Sequence, residues 1–212
     1  MKCLFSFIVI VLFNLFAVQV YSQTNNDTIL LDTGEQFITT ITDTTKGVVS
    51  YKNPKEGKKD KTVDNDRVFS IRNSKGEILY YKFDSLAGND LTIEEMRYYI
   101  KGEQDAQKGF KARGAFWCNV AIGAASGATG NFLCPIPPFG FTALAGLGSI
   151  TIDHATVSNL DYLKHDTYIM GYEKTARVKR RTKSMIGGGI GLIGGLGVFW
   201  GILQPTNNQI IK

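Results

Sequence analysis

The chain has 212 residues, with 24 Lys and Arg against 19 Asp and Glu, and 43% of its residues are apolar. That composition excludes a disordered tail and leaves enough apolar residues for a modest core. Eighteen of the 23 glycines follow residue 100, where two long stretches carry no charge, and no set of residues dictates a reaction.

The first element is a targeting segment. Lys2 precedes an apolar run over residues 4–18, and the first acid is Asp27. A short positive start, an apolar run of this length and small residues at its end describe a secretory signal peptide over residues 1–22. Cleavage would fall after Ser22 and leave Gln23 as the new N-terminus. An uncleaved anchor helix is the alternative. Cys3 stands ahead of the apolar run, so it is not a lipoprotein cysteine. Export across the inner membrane would put Cys118 and Cys134 in an oxidising compartment. On one helix their spacing separates them by ~24 Å, against the ~7 Å that a disulfide tolerates. Two free thiols are expected.

Residues 24–88 read as a small β domain. Thr28-Ile29-Leu30-Leu31, the stretch 36–42, Val48-Val49-Ser50-Tyr51, Val68-Phe69-Ser70-Ile71 and Ile78-Leu79-Tyr80-Tyr81 are strand-like runs between turn signals. Asn73-Ser74-Lys75-Gly76 is a good hairpin loop. Five short strands predict a meander closing into an SH3-like or Sm-like barrel. The basic loop Lys55-Glu56-Gly57-Lys58-Lys59-Asp60-Lys61 has no interleaved aromatics for base stacking. It reads as a solvated loop, and no nucleic-acid partner is expected.

Residues 91–212 read as a helical region. Thr92 and Glu95 have capping-box spacing, and Ile93, Met96, Ile100, Ala106 and Phe110 form a helical apolar stripe. No charge occurs from residue 114 to 152, and Cys134-Pro135-Ile136-Pro137-Pro138 interrupts that stretch. A helical hairpin over about 114–133 and 139–152 is predicted, each arm just reaching across a bilayer of ~30 Å. A third apolar segment, 185–203, has spanning length and eight glycines. Glycine weakens a helix in water by ~1 kcal/mol relative to Ala, but between membrane helices it permits close approach. Gly187, Gly191 and Gly195 recur on one face. Gly197 with Gly201 and Gly123 with Gly127 repeat the spacing. These seven are the candidate packing residues, and their partner is either another segment of the chain or a second copy. The same segment also reads as a buried hairpin of a soluble protein.

Arg177, Lys179, Arg180, Arg181 and Lys183 crowd five cations just before the last apolar segment. Such a cluster attracts anionic lipid head groups. There is also an internal echo. Tyr99-Ile100-Lys101-Gly102, then Ala106, precedes the first uncharged segment, and Tyr168-Ile169-Met170-Gly171, then Ala176, precedes the last. Duplication and chance both remain open readings of it.

Other motifs lack their context. Gly189-Ile190-Gly191-Leu192-Ile193-Gly194 matches the dinucleotide pattern, but a basic run stands where its strand belongs and no acid follows. Asp153, His154, His165 and Asp166 could supply two imidazoles and two carboxylates to a metal, and they read more simply as solvated polar residues. Gly123-Ala124-Ala125-Ser126-Gly127 sets its first glycine one place too far out for a nucleophile elbow.

Several of these residues together resemble small secreted or envelope proteins of Bacteroidota. They are Tyr21-Ser22-Gln23, Asp27-Thr28-Ile29 with Gly34-Glu35, Val49-Ser50-Tyr51-Lys52, Val68-Phe69-Ser70-Ile71 with Gly76-Glu77, Gly102 with Asp105-Ala106, and Tyr168 with Gly171-Tyr172 and Ala176. The resemblance implies an envelope location and carries no activity. The glycine-rich last segment departs from that pattern.

The expectation is an α+β protein without catalysis, metal or cofactor. Its β module would bind a partner, and its glycine-packed helices would anchor it in membrane lipid and join it to copies of itself or to another envelope protein. A small oligomeric channel is a rival reading, although the uncharged stretches offer no charged ring for selectivity. A metal-dependent hydrolase built on Asp153, His154, His165 and Asp166 is the third.

Overall fold

The computed structural model describes residues 27–45, 47–53 and 59–203. The signal segment 1–22, its cleavage site, most of the basic loop 55–61 and the tail after Leu203 lie outside the described residues. The protein is α+β and divides into two units. One comprises the strands up to Leu30 together with Gln36–Tyr80. The other comprises Leu31–Glu35 and everything from Tyr81 onward.

Among the described residues, seven strands form two ladders. They are β1 (Asp27–Leu31), β2 (Gln36–Thr39), β3 (Ile41–Asp43), β4 (Val48–Tyr51), β5 (Lys61–Asp64), β6 (Val68–Asn73) and β7 (Gly76–Leu79). The orders are β2-β1-β6-β7 and β3-β4-β5. Val68, Phe69, Ser70 and Ile71 on β6 are all buried, as expected for an inner strand covered on both faces. β6 and β7 form the expected hairpin, with Asn73 opposite Gly76. Its turn is held by Lys75 N–H donating to Asn73 Oδ1 at 2.9 Å, and Gly76 takes a φ of 137° that other residues avoid.

The strand count differs from the expected five for two physical reasons. The run 36–42 is two strands, because the chain leaves the first ladder at Thr40 and joins the second. That corner is tied by Thr39 Oγ1 donating to Lys52 O at 2.8 Å and by Asp27 Oδ2 accepting from Ile41 N–H at 3.2 Å. Lys61–Asp64, which is not among the five expected strands because of its polarity, is an outer strand whose pairing comes from β4. Among the described residues the ladders are two, rather than one closed meander.

Among the described residues, the second unit holds four α-helices: α1 (Ile93–Gly109), α2 (Arg113–Gly127), α3 (Ile136–Ala145) and α4 (Asp166–Val198). The capping box closes α1 as expected. Thr92 Oγ1 accepts from Glu95 N–H, and Glu95 Oε2 accepts from Thr92 N–H at 2.8 Å. The hairpin arms are shorter than expected. α2 has 15 residues and α3 has 10, so they extend only ~22 and ~15 Å. Pro137 and Pro138 fall in the first turn of α3, where a missing N–H costs nothing, so they start that helix. The polar stretch and the last apolar segment, read as separate, fuse into α4, which runs 33 residues and continues as a wider π-helical turn over Phe199–Leu203.

The packing partners give the helix directions. Tyr99 lies against Gly171, the C-terminal carbonyls of α1 lie against Lys179, Phe116 against Gly187, and Ala124 against Gly195. α1 and then α2 therefore run alongside α4 in the same direction. α3 runs back, from Pro138 beside Gly188 to Gly146 beside Arg181.

Candidate functional site

The candidate site is the lower part of the second unit, formed by α2, α3 and the last half of α4. Its interior is a seam of backbone. A Cβ on Gly191 would fall on Val120 O, with Ala124 N at 2.9 Å. One on Gly123 would fall on Gly188 O, with Leu192 N at 2.9 Å. Gly127 and Gly195 repeat this reciprocal contact one turn further on, and Gly187 meets Phe116 O. The expected faces Gly123/Gly127 and Gly187/Gly191/Gly195 thus find each other within one chain. Gly197 and Gly201 do not join them, since both face open space.

Sequence reasoning missed a second glycine contact of the same kind. A Cβ on Gly102 would strike Tyr168 O, and one on Gly171 would strike Tyr99 O. These glycines and tyrosines are the two halves of the internal echo, and they pack on each other reciprocally, as two copies of one helix do in a parallel pair. The two glycine contacts lie one residue further apart on the α1–α2 side (102 to 123) than on α4 (171 to 191). The extra residue falls where α1 and α2 are broken by Phe110, Lys111 and Ala112. The signal was present in the sequence, but nothing in it said that the repeats touch.

One polar knot interrupts this apolar region. Asn119 is wholly buried. Its Nδ2 lies 3.1 Å from Pro138 O, 2.9 Å from Thr142 Oγ1, 2.8 Å from Ser184 O and 3.1 Å from Ser184 Oγ. One amide therefore ties α2, α3 and α4 together, while its Oδ1 is buried without a partner. In a low-dielectric setting such ties hold helices in register.

The outer surface is the reverse of an ordinary protein core. Trp117, Phe132, Leu133, Ile136, Phe139, Leu144, Ile190, Ile193 and Trp200 are exposed, Phe132 at 92% and Ile193 at 73%. Glycine fills the inside and large apolar side chains face outward. Among the described residues, one helix, Asp166–Gly201, is long and apolar enough to cross a membrane.

The five cations assigned to lipid head groups separate into different roles. Lys179 donates to Ala106 O, Gln107 O and Phe110 O at 2.6–3.2 Å and so caps the C-terminus of α1. Arg180 does the same for α3 through Ala145 O at 3.5 Å and, just beyond it, Ser149 O at 2.9 Å. Arg177 pairs with Glu173 at 2.8 Å. Arg181 and Lys183 remain exposed, with Arg181 packed against Gly146. The sequence shows the cluster but not its division, because the helix ends that Lys179 and Arg180 cap lie far away along the chain.

The remaining candidates do not assemble. Asp153 caps a short helical turn through Ala155 N–H at 3.0 Å. His165 stacks on Tyr98, with ring centroids 3.8 Å apart. No group of three or more His, Cys, Asp or Glu side chains that could hold a metal converges among the described residues. Residues 189–194 lie inside continuous α4 without the turn that a nucleotide loop needs. Cys118 is exposed, Cys134 is buried, and both are free thiols.

Above the seam lies a buried acid that sequence reasoning did not single out. Glu103 is 3% exposed and bonds Lys174 Nζ at 3.2 Å, while its Oε2 has no partner. Desolvation raises its proton affinity more than Lys174 lowers it. Two residues on, Asp105 accepts three bonds on its Oδ2, from Ser158 N–H, Ser158 Oγ and Tyr168 Oη at 2.7–2.9 Å.

In comparisons with known proteins, no family model, no curated protein and no solved structure matches this chain.

Proposed function

We propose that this is a non-enzymatic cell-envelope protein anchored in a membrane by the α2–α3–α4 wedge, with the β module outside to engage a partner. The observation that carries this reading is the inverted wedge: glycine backbone packed inside, and large apolar side chains exposed all round. Water would penalise that surface, whereas lipid tails accept it. From Ser184 to Leu203, α4 and the turn after it are ~30 Å long, the thickness of a hydrocarbon core. In this reading α4 crosses, while the short α2–α3 hairpin dips in and returns to the side it entered.

The cations gather where that hairpin enters and leaves. Lys108, Lys111 and Arg113 flank the α1–α2 break, and Lys179, Arg180, Arg181 and Lys183 sit at the same level of α4. A basic collar of this kind suits the head-group layer. The apolar run over residues 4–18 supports export. For the β module, a barrel-like closure fits the corner at Thr40, where one continuous run serves both ladders. Self-association through glycine would use Gly197 and Gly201, which still face open space.

Membrane fractionation with carbonate washing, followed by protease treatment of intact vesicles, tests the proposal. The chain is expected to stay in the membrane pellet, with the β unit cleaved from one side only. Release by carbonate would overturn the anchor.

A further inference from the structure

We propose, resting on the membrane reading above, that the groove at the α1–α2 break binds the phosphate head group of an anionic phospholipid. The groove has a volume of about 430 Å³, and its walls include Lys108, Lys111, Arg113, Lys183, Phe116 and Trp117.

Its charge is all of one sign. No Asp or Glu occurs between Asp105 and Asp153, or after Glu173. Lys179, also on the wall, spends its ammonium on the carbonyls of α1. The other four cations have no ion-pair partner among the described residues. Crowded like charges repel one another, and a bound anion relieves that repulsion. The start of α2 adds to the attraction. Ala112 offers no side-chain cap and no acid stands in the first turn, so its backbone N–H groups are open to an anion.

The other half of the groove is aromatic. Phe116 and Trp117 meet edge to face, with centroids 5.1 Å apart, and Trp117 is 66% exposed. An inorganic phosphate would satisfy the cations and leave this half bare. A phospholipid covers both, with its phosphate on Lys111, Arg113 and Lys183 and its chain start along Trp117. Trp and Lys at that depth are also the residues that the membrane interface favours.

The test reconstitutes the full chain into phosphatidylcholine vesicles and follows tryptophan quenching by brominated lipids. A Trp200→Phe variant reports the groove through Trp117. A Trp117→Phe variant reports insertion through Trp200. Brominated phosphatidylglycerol is expected to associate at Trp117 about tenfold better than brominated phosphatidylcholine, and Lys111→Ser, Arg113→Ser and Lys183→Ser should each lower that preference by up to ~5-fold. A charge-matched set, Lys75→Ser, Lys101→Ser and Lys164→Ser, should leave it unchanged.

Equal quenching of Trp117 by both lipids overturns the site, and Trp200 quenching in the same vesicles shows that the anchor still stands. Absence of quenching at Trp200 by any lipid removes the membrane reading itself. If neither brominated lipid quenches Trp117 while inorganic phosphate changes its emission, the ligand is soluble phosphate and the lipid proposal fails. Circular dichroism of each variant confirms that the helices are retained.

Discussion

Gly191 and Gly194 stand three residues apart on the same helix and make opposite predictions. At Gly191 an added Cβ meets Val120 O and Ala124 N, both backbone, which cannot turn aside. Gly191→Ala should therefore destabilise the helical unit by about 2–3 kcal/mol through overpacking. At Gly194 nothing lies within 4 Å, so Gly194→Ala should stabilise by up to ~1 kcal/mol, the ordinary helix preference. Thermal unfolding of the detergent-solubilised chain measures both, and equal effects would dissolve the seam. The seam was legible from four-residue spacing at Gly187, Gly191 and Gly195. The same spacing at Gly197 and Gly201 misleads, because spacing tells which residues share a face and not whether that face is covered.

Glu103 gives a pH prediction at the same scale. Its folded proton affinity is raised by burial, so the folded state favours the neutral acid. That contribution is complete below the ordinary value of 4.5 and is lost as pH rises through the higher folded value. Stability should fall over that rise in the native chain, and the fall should flatten in Glu103→Gln. At pH 7 the variant should be more stable by about 1 kcal/mol. Lys174 is mostly exposed and tolerates the loss of its partner. An unchanged pH profile in chemical denaturation would refute this account.

Among the elements, α3 depends most on a few polar ties, with Asn119 at their centre. It is ten residues long and buries only Pro138, too short to hold as a helix by itself. The Asn119 amide, the Thr142–Ser184 hydroxyl contact at 3.3 Å and Arg180 on Ala145 O at 3.5 Å are the polar bonds that dock it. Asn119→Ala should cost about 2 kcal/mol, and hydrogen exchange should rise over residues 138–145 more than over α2 or α4. Uniform exchange would mean that α3 is held by apolar contact alone. Nothing in the sequence marks Asn119, since an Asn in an uncharged stretch reads equally as a turn residue. The capping box at Thr92 and Glu95 is the contrary case, legible because both partners lie within one turn of chain.

At the scale of the whole molecule, the two units carry separate predictions. The β unit has its own buried residues, Ile29, Val49, Tyr51, Val68, Phe69 and Ile71. Residues 24–88 alone should give a β-type circular dichroism spectrum, and a random-coil spectrum would count against independent folding. The turn Leu31–Glu35 is the part such a fragment should lose. It belongs to the helical unit, where Gln104 Nε2 donates to Gly34 O at 3.1 Å and Gln107 Nε2 to Thr33 O at 3.3 Å.

What the sequence determined by itself was local or periodic. The α1 start, the β6–β7 hairpin, the uncharged segments and the two glycine faces follow from residues a few positions apart, where turn geometry and helical repeat leave little choice. Tertiary structure decided everything that depends on distant partners. It split the run 36–42 between two ladders, made an outer strand of the polar Lys61–Asp64, and cut the expected spanning arms to 15 and 10 residues. It also set the glycine faces and the echoed tyrosine–glycine motifs against each other, and turned Lys179 and Arg180 to cap helices rather than face outward. The physical reason is common to all of these. Backbone hydrogen bonds and close packing must be completed by whichever segment arrives, and the identity of that segment is not written in the local sequence.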